Sequence, residues 1–252
     1  MSRQPDFPIQ LENFRREAYA AAQYLYSDMA INHAASKSKR LLSRLNMTPT
    51  FWLVHGSACQ AAAYVCLGRV FDKTSRFNVD KLIESFEKNL DIFSRDALAV
   101  RKREGNAKEP AWLQEYLQKS HYPTLRDVTR LRVRVAEYRA IYDKAVRPAR
   151  NKYIAHREKV EHTEVEALFA GGKLKELWRL ATFLYALYDA LWNQYYNGRR
   201  PVLRPRRYSV KTIYEAKGFS GSPHEHIVAE ARKLMEFIEQ TTPDSTLDQA
   251  RQ

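Results

Sequence analysis

The stretch LWRLATFLYALYDALWNQYY, residues 177–196, decides the fold class of this chain. Its apolar and aromatic side chains continue over about five turns, which predicts a helix that ends near Asn197. Helical periodicity continues outward from this stretch, and only residues 208–214 alternate as a strand would. Glycine is scarce, with eight residues, whereas Leu, Ala, Glu, Lys and Arg are plentiful. The sequence therefore predicts an all-α helical bundle with extra short helices.

Capping residues predict where several helices begin. A first amphipathic helix is expected over residues 8–44, and Pro49, preceded by Thr48, is expected to start the second. Asn78 is expected to cap a third helix, and two short helices are expected between residues 92 and 119. The first half of the chain is therefore expected to be helical between short connectors.

The second half contains a predicted helix interruption. A long helix is expected from Thr124 to about residue 158, with Pro148 inside it. Proline lacks an amide hydrogen and its ring crowds the preceding turn, so we expect a kink or break just before Arg150. A last helix is expected over residues 223–240. We expect one helical domain over residues 7–197, followed by a basic C-terminal extension and terminal helix over residues 198–252.

The charge of the chain favours a polyanionic partner. It has 42 basic and 29 acidic residues, a net charge of +13. RNA, DNA and an anionic membrane surface are the candidates, and a merely solvated basic surface is the alternative. Residues 126–159 hold eleven basic and four acidic side chains, a net charge of +7. More than half of the excess charge is thus concentrated in one segment.

The cysteines and the N-terminal sequence favour a soluble protein of the cytoplasm. Cys59 and Cys66 are seven residues apart, a rise of about 10 Å on a helix, so they cannot form a disulfide with each other. The N-terminus lacks an apolar signal core. Residues 51–70 are apolar, but polar residues such as His55 and Arg69 favour a buried helix over a membrane span. We therefore expect no membrane partner.

No common nucleotide-binding or metal-binding signature occurs in the sequence. His224 and His226 are two residues apart, but a structural zinc site needs four ligands at defined spacing. A solvated helix start is the preferred interpretation of this pair. We expect neither a metal nor a cofactor.

Residues 150–157 read RNKYIAHR and form the candidate catalytic motif. Imidazole titrates near neutral pH, so His156 is the candidate general acid or base for RNA cleavage by the ribose 2′-hydroxyl. The guanidinium of Arg150 stays charged and can stabilise the phosphorane, and Asn151 can donate to a phosphate oxygen or orient the histidine. The pattern is loose, and a surface ion pair for Arg150 with a core position for His156 is the alternative.

The motif resembles the signature of the HEPN superfamily, which is an Arg, a polar residue that is often Asn, and a His after four to six intervening residues. The wider chain looks like the AbiU2 branch, which is associated with phage abortive infection. RVFDKTSRFNVDKLIESF (residues 69–86) and ARNKYIAHREK (residues 149–159) carry the likeness, which extends over about residues 7–197. The resemblance implies a HEPN-like bundle, a homodimer with the motif at its interface, and a toxin or defence effector. It also implies metal-independent endoribonuclease activity with Arg150 and His156 as the catalytic pair.

Further basic and aromatic residues are candidates for RNA binding. In and around the motif they are Arg147, Lys152, Tyr153 and Arg157, and in the C-terminal extension they are Arg204, Arg206 and Arg207. Arginine and lysine can bind the RNA backbone with release of counterions. A solvated, flexible arm is the alternative for the extension.

Two other functions remain open from the sequence. A non-catalytic RNA-binding bundle would use the same basic residues without cleavage. A protein-interaction module would use the apolar helical surface of residues 177–196, with an antitoxin or regulatory protein as a possible partner.

Overall fold

The computed structural model describes residues 6–103, 108–151, 174–205, 208–216 and 221–241. These residues form eleven α-helices and one 3-10 turn, Leu90–Phe93, and none of them lies in a strand. The all-α prediction is confirmed. In chain order the helices are α1 (Asp6–Lys37), α2 (Lys39–Leu45), α3 (Pro49–Phe71), α4 (Val79–Lys88), α5 (Arg95–Arg103), α6 (Leu113–Lys119), α7 (Leu125–Ala145), α8 (Arg147–Ala149), α9 (Leu174–Asn197), α10 (Val210–Glu215) and α11 (Pro223–Gln240).

Several helix boundaries follow the capping residues. The Asn78 side chain accepts a hydrogen bond from the Lys81 amide at 3.0 Å and begins α4. The last helix begins at Pro223, behind a capping box formed by Ser222 and Glu225. These starts are confirmed because a local side chain accepts the amide hydrogens that a helix leaves unpaired.

Two predicted elements are wrong. The first helix ends at Lys37, because Ser38 adopts an extended backbone and its hydroxyl caps α2 by accepting from the Leu41 amide. Residues 208–214 form no strand, since Ser209 accepts from the Thr212 amide and starts the short helix α10. In both places a serine hydroxyl caps a new helix, although the apolar pattern alone predicts a continuous helix or a strand.

One compact unit consists of Met1–Ala22 and Ala61–Arg207. Its helices α4 and α9 pack against α7, and the rings of Tyr138 on α7 and Phe183 on α9 stack with centroids 3.8 Å apart. Phe7, Phe86 and Phe93 form a second aromatic cluster, and each is at most 2% exposed. Burial of each such ring contributes about 1.5–3 kcal/mol.

The other compact unit consists of Gln23–Gln60 and Tyr208–Gln252. Helix α11 packs against α2 and α10. Its core contains Ile31, Ala34, Leu41, Leu45 and Met235. The predicted boundary between residues 197 and 198 stays a prediction.

Helix α3 differs from the expectation of a buried helix. Cys59 and Cys66 are buried thiols without a disulfide, as predicted. The first turn and a half is exposed instead, with 62%, 71% and 62% of Phe51, Leu53 and Val54 accessible to solvent. No helix among the described ranges is both long and apolar enough to cross a membrane.

Candidate active site

The end of α7 positions the first two residues of the candidate motif. The helix ends at Ala145, Val146 forms a turn, and Pro148 lies in the three-residue helix α8. Arg150 and Asn151 then follow in a wider, π-type turn. The predicted interruption before Arg150 is therefore confirmed. Wide turns of this kind are frequent at functional sites because they re-aim side chains that a regular helix would stack.

The Arg150 side chain crosses α3 at Gly68. A Cβ atom on Gly68 would lie 2.8 Å from Nε and 3.1 Å from Cζ of Arg150. Glycine has no Cβ atom, so it leaves room for the Arg150 side chain. This close approach explains why glycine occupies a position inside α3, where it lowers helix stability by about 0.5–1 kcal/mol relative to alanine. The close approach directs the guanidinium to the C-terminal end of α3.

Asp72, directly after α3, receives the guanidinium. Nη1 of Arg150 lies 2.5 Å from Oδ2 of Asp72, and the same nitrogen donates to Oδ1 of Asn151 at 2.9 Å. The hydroxyl of Tyr142 donates to Oδ1 of Asp72 at 2.9 Å, and Nε of Arg147 lies 3.7 Å from that oxygen. Arg150 is one quarter exposed, whereas the Asp72 side chain is 12% exposed. The carboxylate is thus a shared, nearly buried partner for one phenol and two guanidiniums.

The pKa of the buried Tyr142 hydroxyl is shifted by its surroundings. Tyr142 is fully buried, its ring stacks on Phe71 at 5.3 Å, and the Arg147 guanidinium lies over it at 5.4 Å. Burial raises the pKa of Tyr142, and its hydrogen bond to the Asp72 carboxylate raises it further. Tyr142 therefore remains a hydrogen-bond donor that holds Asp72 in place.

An open groove of about 530 Å³ lies beside these residues. This volume is within the range of about 300–1,000 Å³ that is usual for small-molecule sites. Its lining holds four cationic and two acidic side chains, a net charge of +2, and consists of Asp72, Lys73, Thr74, Arg139, Asp143, Arg147, Arg150 and Asn151. The groove suits a polyanion, and the Arg150 guanidinium is accessible from it rather than enclosed in an apolar interior.

Ion pairs fix the remaining walls of the groove. Nη2 of Arg147 lies 2.9 Å from Oδ1 of Asp143, one helical turn earlier. Nη2 of Arg139 lies 2.7 Å from Oδ2 of Asp80, and its Nε donates to the Phe71 carbonyl at 3.3 Å. These contacts connect α7 to the start of α4 and the end of α3.

The structure brings together three of the residues expected to act on RNA, namely Arg147, Arg150 and Asn151. Arg204 is exposed in the irregular chain after α9 and is not part of the groove lining. The other candidates lie outside the described residues: Lys152, Tyr153, His156, Arg157, Arg206 and Arg207. Their roles stay predictions.

Sequence reasoning gave no role to Asp72, which lies in the connector between α3 and α4 and pairs with the candidate Arg150. One signal was available, because a carboxylate at the C-terminal end of a helix faces the negative end of the helix dipole and needs cations to offset it. The identity of those cations, Arg147 and Arg150, emerges only from the fold.

The histidine pair lies in the first turn of α11 and is not part of the groove lining. His224 is 2% exposed, with its ring 5.2 Å from that of Tyr26 and 4.1 Å from that of Tyr208. Among the described residues no three His, Cys, Asp or Glu side chains are grouped to bind a metal ion. His224 is part of a buried aromatic cluster rather than a solvated helix start.

Comparison with known proteins gives one result. The family model HEPN_AbiU2, described as AbiU2, matches residues 6–212, which include the groove and the whole RNKYIAHR motif. No curated protein and no solved structure matches the chain. The match covers most of the sequence, so this chain belongs to the AbiU2 family of HEPN proteins.

Proposed function

We propose that this chain is a metal-independent endoribonuclease of the toxin or phage-defence type that works as a homodimer. The proposed catalytic groups are Arg150, Asn151 and His156. The supporting observation is that the Arg150 guanidinium, although it forms an ion pair as the alternative interpretation expected, is one quarter exposed and lines an open cationic groove. Family membership adds support for a defence role, and HEPN proteins are often nucleases.

The proposed reaction requires only proton transfer and charge stabilisation. The ribose 2′-oxygen attacks the adjacent phosphorus, and its proton passes to a general base. The bond from phosphorus to the 5′-oxygen breaks, and that oxygen takes a proton from a general acid. The products are a 2′,3′-cyclic phosphate and a 5′-hydroxyl. His156 supplies one of these proton transfers, because imidazole exists in both protonation states near neutral pH.

Arg150 stabilises the pentacovalent phosphorane. A guanidinium carries five N–H donors in a planar fork, so it can bind a carboxylate and a phosphate together. Its contacts with Asp72 and Asn151 both use Nη1, which orients the plane of the fork before RNA binds. Loss of one such donor in other enzymes slows catalysis by about 10²–10³-fold. Asn151 also carries amide N–H donors that suit a phosphate oxygen.

A second copy of the chain completes the proposed site. On a regular helix, six residues separate Arg150 from His156 by about 120° around the axis and about 9 Å along it. Two copies of the motif related by a two-fold axis supply the additional proton-transfer group that one copy lacks. The homodimer is therefore part of the proposal.

The test uses purified chain and total RNA. We expect the wild type to fragment the RNA and to leave 2′,3′-cyclic phosphate ends, whereas His156→Ala leaves the RNA intact. Arg179→Ala is the control, because Arg179 pairs with Glu176 on α9 and is absent from the groove lining. Equal fragmentation by the wild type and His156→Ala would refute the proposal.

A protein-interaction role is a second candidate, favoured by the start of α3. Large exposed apolar surfaces mark interaction sites, and Phe51, Leu53 and Val54 are exposed together within about one turn of α3. The partner proposed is a regulatory or antitoxin-like protein. Phe51→Ser with Leu53→Ser is expected to change toxicity in the native cell while RNA cleavage by the isolated chain stays unchanged. Unaltered toxicity would argue against this role.

A further inference from the structure

Helices α5 and α6 and the end of α9 bring cationic and aromatic side chains together outside the groove. Nζ of Lys102 lies 5.3 Å from the centre of the Tyr116 ring and donates to Oδ1 of Asn197 at 2.8 Å. Arg101 lies over the Tyr195 ring at 4.2 Å, and its Nε donates to the Tyr195 carbonyl at 3.1 Å. These donors complete the C-terminal end of α9, where cations are favoured.

The cations of this cluster repel one another. Burial lowers the pKa of Lys102, and the nearby charges of Arg101 and Arg199 lower it further. Among the residues that the structure describes, the charged groups that shift the pKa of Lys102 are these two guanidiniums. Like charges held close repel one another, so an anion bound beside Lys102 and Arg199 reduces the repulsion.

An exposed aromatic ring lies beside the cations. Trp112 is 49% exposed, and its ring meets that of Tyr116 edge to face at 5.6 Å. An exposed indole of this size offers a flat surface to an unpaired base. Stacking of a base on such a ring is insensitive to sequence, because every base has a π-face.

We propose that Lys102, Arg199 and Trp112 form a subsite for single-stranded RNA, in which the cations bind backbone phosphates and the indole stacks on an unpaired base. This inference rests on the proposed function, since the ligand is the RNA that the Arg150 site cleaves. Double-stranded RNA keeps its bases stacked and paired inside the helix, so it offers no base to Trp112.

The subsite and the groove lie at opposite ends of α7. The amide of His121 donates to the Gly198 carbonyl at 2.6 Å, and Nε of Arg200 lies 4.0 Å from Oδ1 of Asp127, which joins the end of α9 to the start of α7. Arg150 follows the other end. A 21-residue helix is about 30 Å long, which about nine stacked nucleotides cover at about 3.4 Å each.

Exposed cations lie on one side of α7 near both of its ends. Arg126, Arg130 and Lys144 are exposed, and at 100° per residue they lie within about 40° of one line along the helix. The exposed Glu137 lies on the same line between Arg130 and Lys144 and is paired with Arg134. A phosphate backbone that follows this line would pass Arg126 and Arg130 in the first two turns of α7 and Lys144 in its last turn. The arrangement favours RNA longer than about nine nucleotides.

The test measures binding of an oligouridine of about 15 nucleotides with 2′-O-methyl groups, which cannot supply the attacking hydroxyl. Fluorescence anisotropy at several salt concentrations gives Kd and its salt dependence. We expect Lys102→Gln and Arg199→Ala each to lower the slope of log Kd against log salt by about 0.7. Trp112→Ala is expected to weaken binding about fivefold to a hundredfold, and Trp112→Phe to restore most of it. Lys88→Ala on α4 is the control, since Lys88 is exposed and paired with Glu84.

A length series separates this subsite from the active site. We expect the same variants to cleave an RNA of about five nucleotides as fast as the wild type does, because an RNA of that length held in the groove cannot reach the subsite at the other end of α7. An unchanged Kd and salt slope for the long oligonucleotide in all three variants would overturn the subsite. Equal preference for a duplex of the same length would also overturn it. Loss of cleavage in Arg150→Ala is measured separately, so failure of either proposal is distinguishable from failure of the other.

Discussion

Arg150 and Asp72 form the ion pair that organises the groove, with Nη1 of the guanidinium 2.5 Å from Oδ2 of the carboxylate. The carboxylate also accepts from the buried Tyr142 hydroxyl, so its position is fixed from the protein side. A guanidinium held in this way keeps a defined plane toward the groove. In the proposed reaction Asp72 is therefore a positioning residue for Arg150.

Asp72→Asn is expected to separate catalysis from binding. The amide keeps the shape of the side chain but loses the charge that orients Arg150, and misplacement of a catalytic group by about 1 Å can cost about a hundredfold in rate. We expect a cleavage rate lower by about tenfold to a hundredfold, with RNA bound as tightly or more tightly because one negative charge has left the groove. Single-turnover rates and Kd values check this. The prediction fails if affinity falls in parallel with the rate.

Gly68→Ala is expected to affect activity without destabilising the fold. The new methyl would contact Nε and Cζ of Arg150, which lie near the end of a flexible side chain that can move away. Alanine also favours helix, so we expect the free energy of unfolding to be unchanged or raised by up to about 1 kcal/mol, with slower cleavage. Gly56→Ala is the matched control on the same helix, where the new methyl meets Asp28 instead. Full activity of Gly68→Ala would contradict the role given to this close approach.

Asp127 is expected to make stability depend on pH at the start of α7. Burial alone would raise the pKa of Asp127, but hydrogen bonds from Thr124 and contact with His121 outweigh it and hold the pKa below its usual value. A depressed pKa gives stability that is present above the unfolded value of about 3.9 and is lost as pH falls through the folded value.

Asp127→Asn tests this linkage. We expect the variant to be less stable than the wild type by about 1 kcal/mol at pH 7, as for the loss of a capping interaction, and the difference to shrink below about pH 4. Urea unfolding at pH 7 and pH 3 measures it. Asp91→Asn, at an exposed position in the 3-10 turn, is the control. An equal difference at both pH values would show that the carboxylate charge is not the cause.

Dilution tests the proposed homodimer. If two copies of the motif build one site, the rate of cleavage per chain must fall once the concentration drops below the dimer dissociation constant. We expect sedimentation to show dissociation over the same concentration range. A rate per chain that stays constant while the protein dissociates would place the complete site in one copy.

The sequence predicted those parts of the fold that local chemistry determines. Asn78 and Pro223 marked helix starts because their effects act within three or four residues, and Pro148 interrupted the helix before Arg150 for the same reason. The predictions at Ser38 and Ser209 were wrong, because each serine caps a new helix. Serine is nearly neutral in a helix interior and favourable as a cap, and only packing decides between the two uses.

The sequence predicted only those residues of the candidate site that belong to the RNKYIAHR motif. The motif supplied Arg150 and Asn151, but Asp72, Gly68 and Tyr142 reach them through tertiary packing. No spacing rule connects the end of α3 to the residues after α7, because their distance is set by how the intervening helices pack. The charge excess of residues 126–159 predicted a cationic groove, whereas the two carboxylates in its lining were not expected to organise it.

Single-turnover cleavage of a defined RNA in EDTA is to be compared for the wild type, Arg150→Ala, His156→Ala and the control Arg179→Ala. We expect the wild type and the control to cleave at similar rates without a metal ion. Arg150→Ala and His156→Ala are expected to cleave at least about a hundredfold more slowly, with folding unchanged. Cleavage that survives either replacement, or that EDTA abolishes, would show that these two groups do not form a metal-independent ribonuclease site.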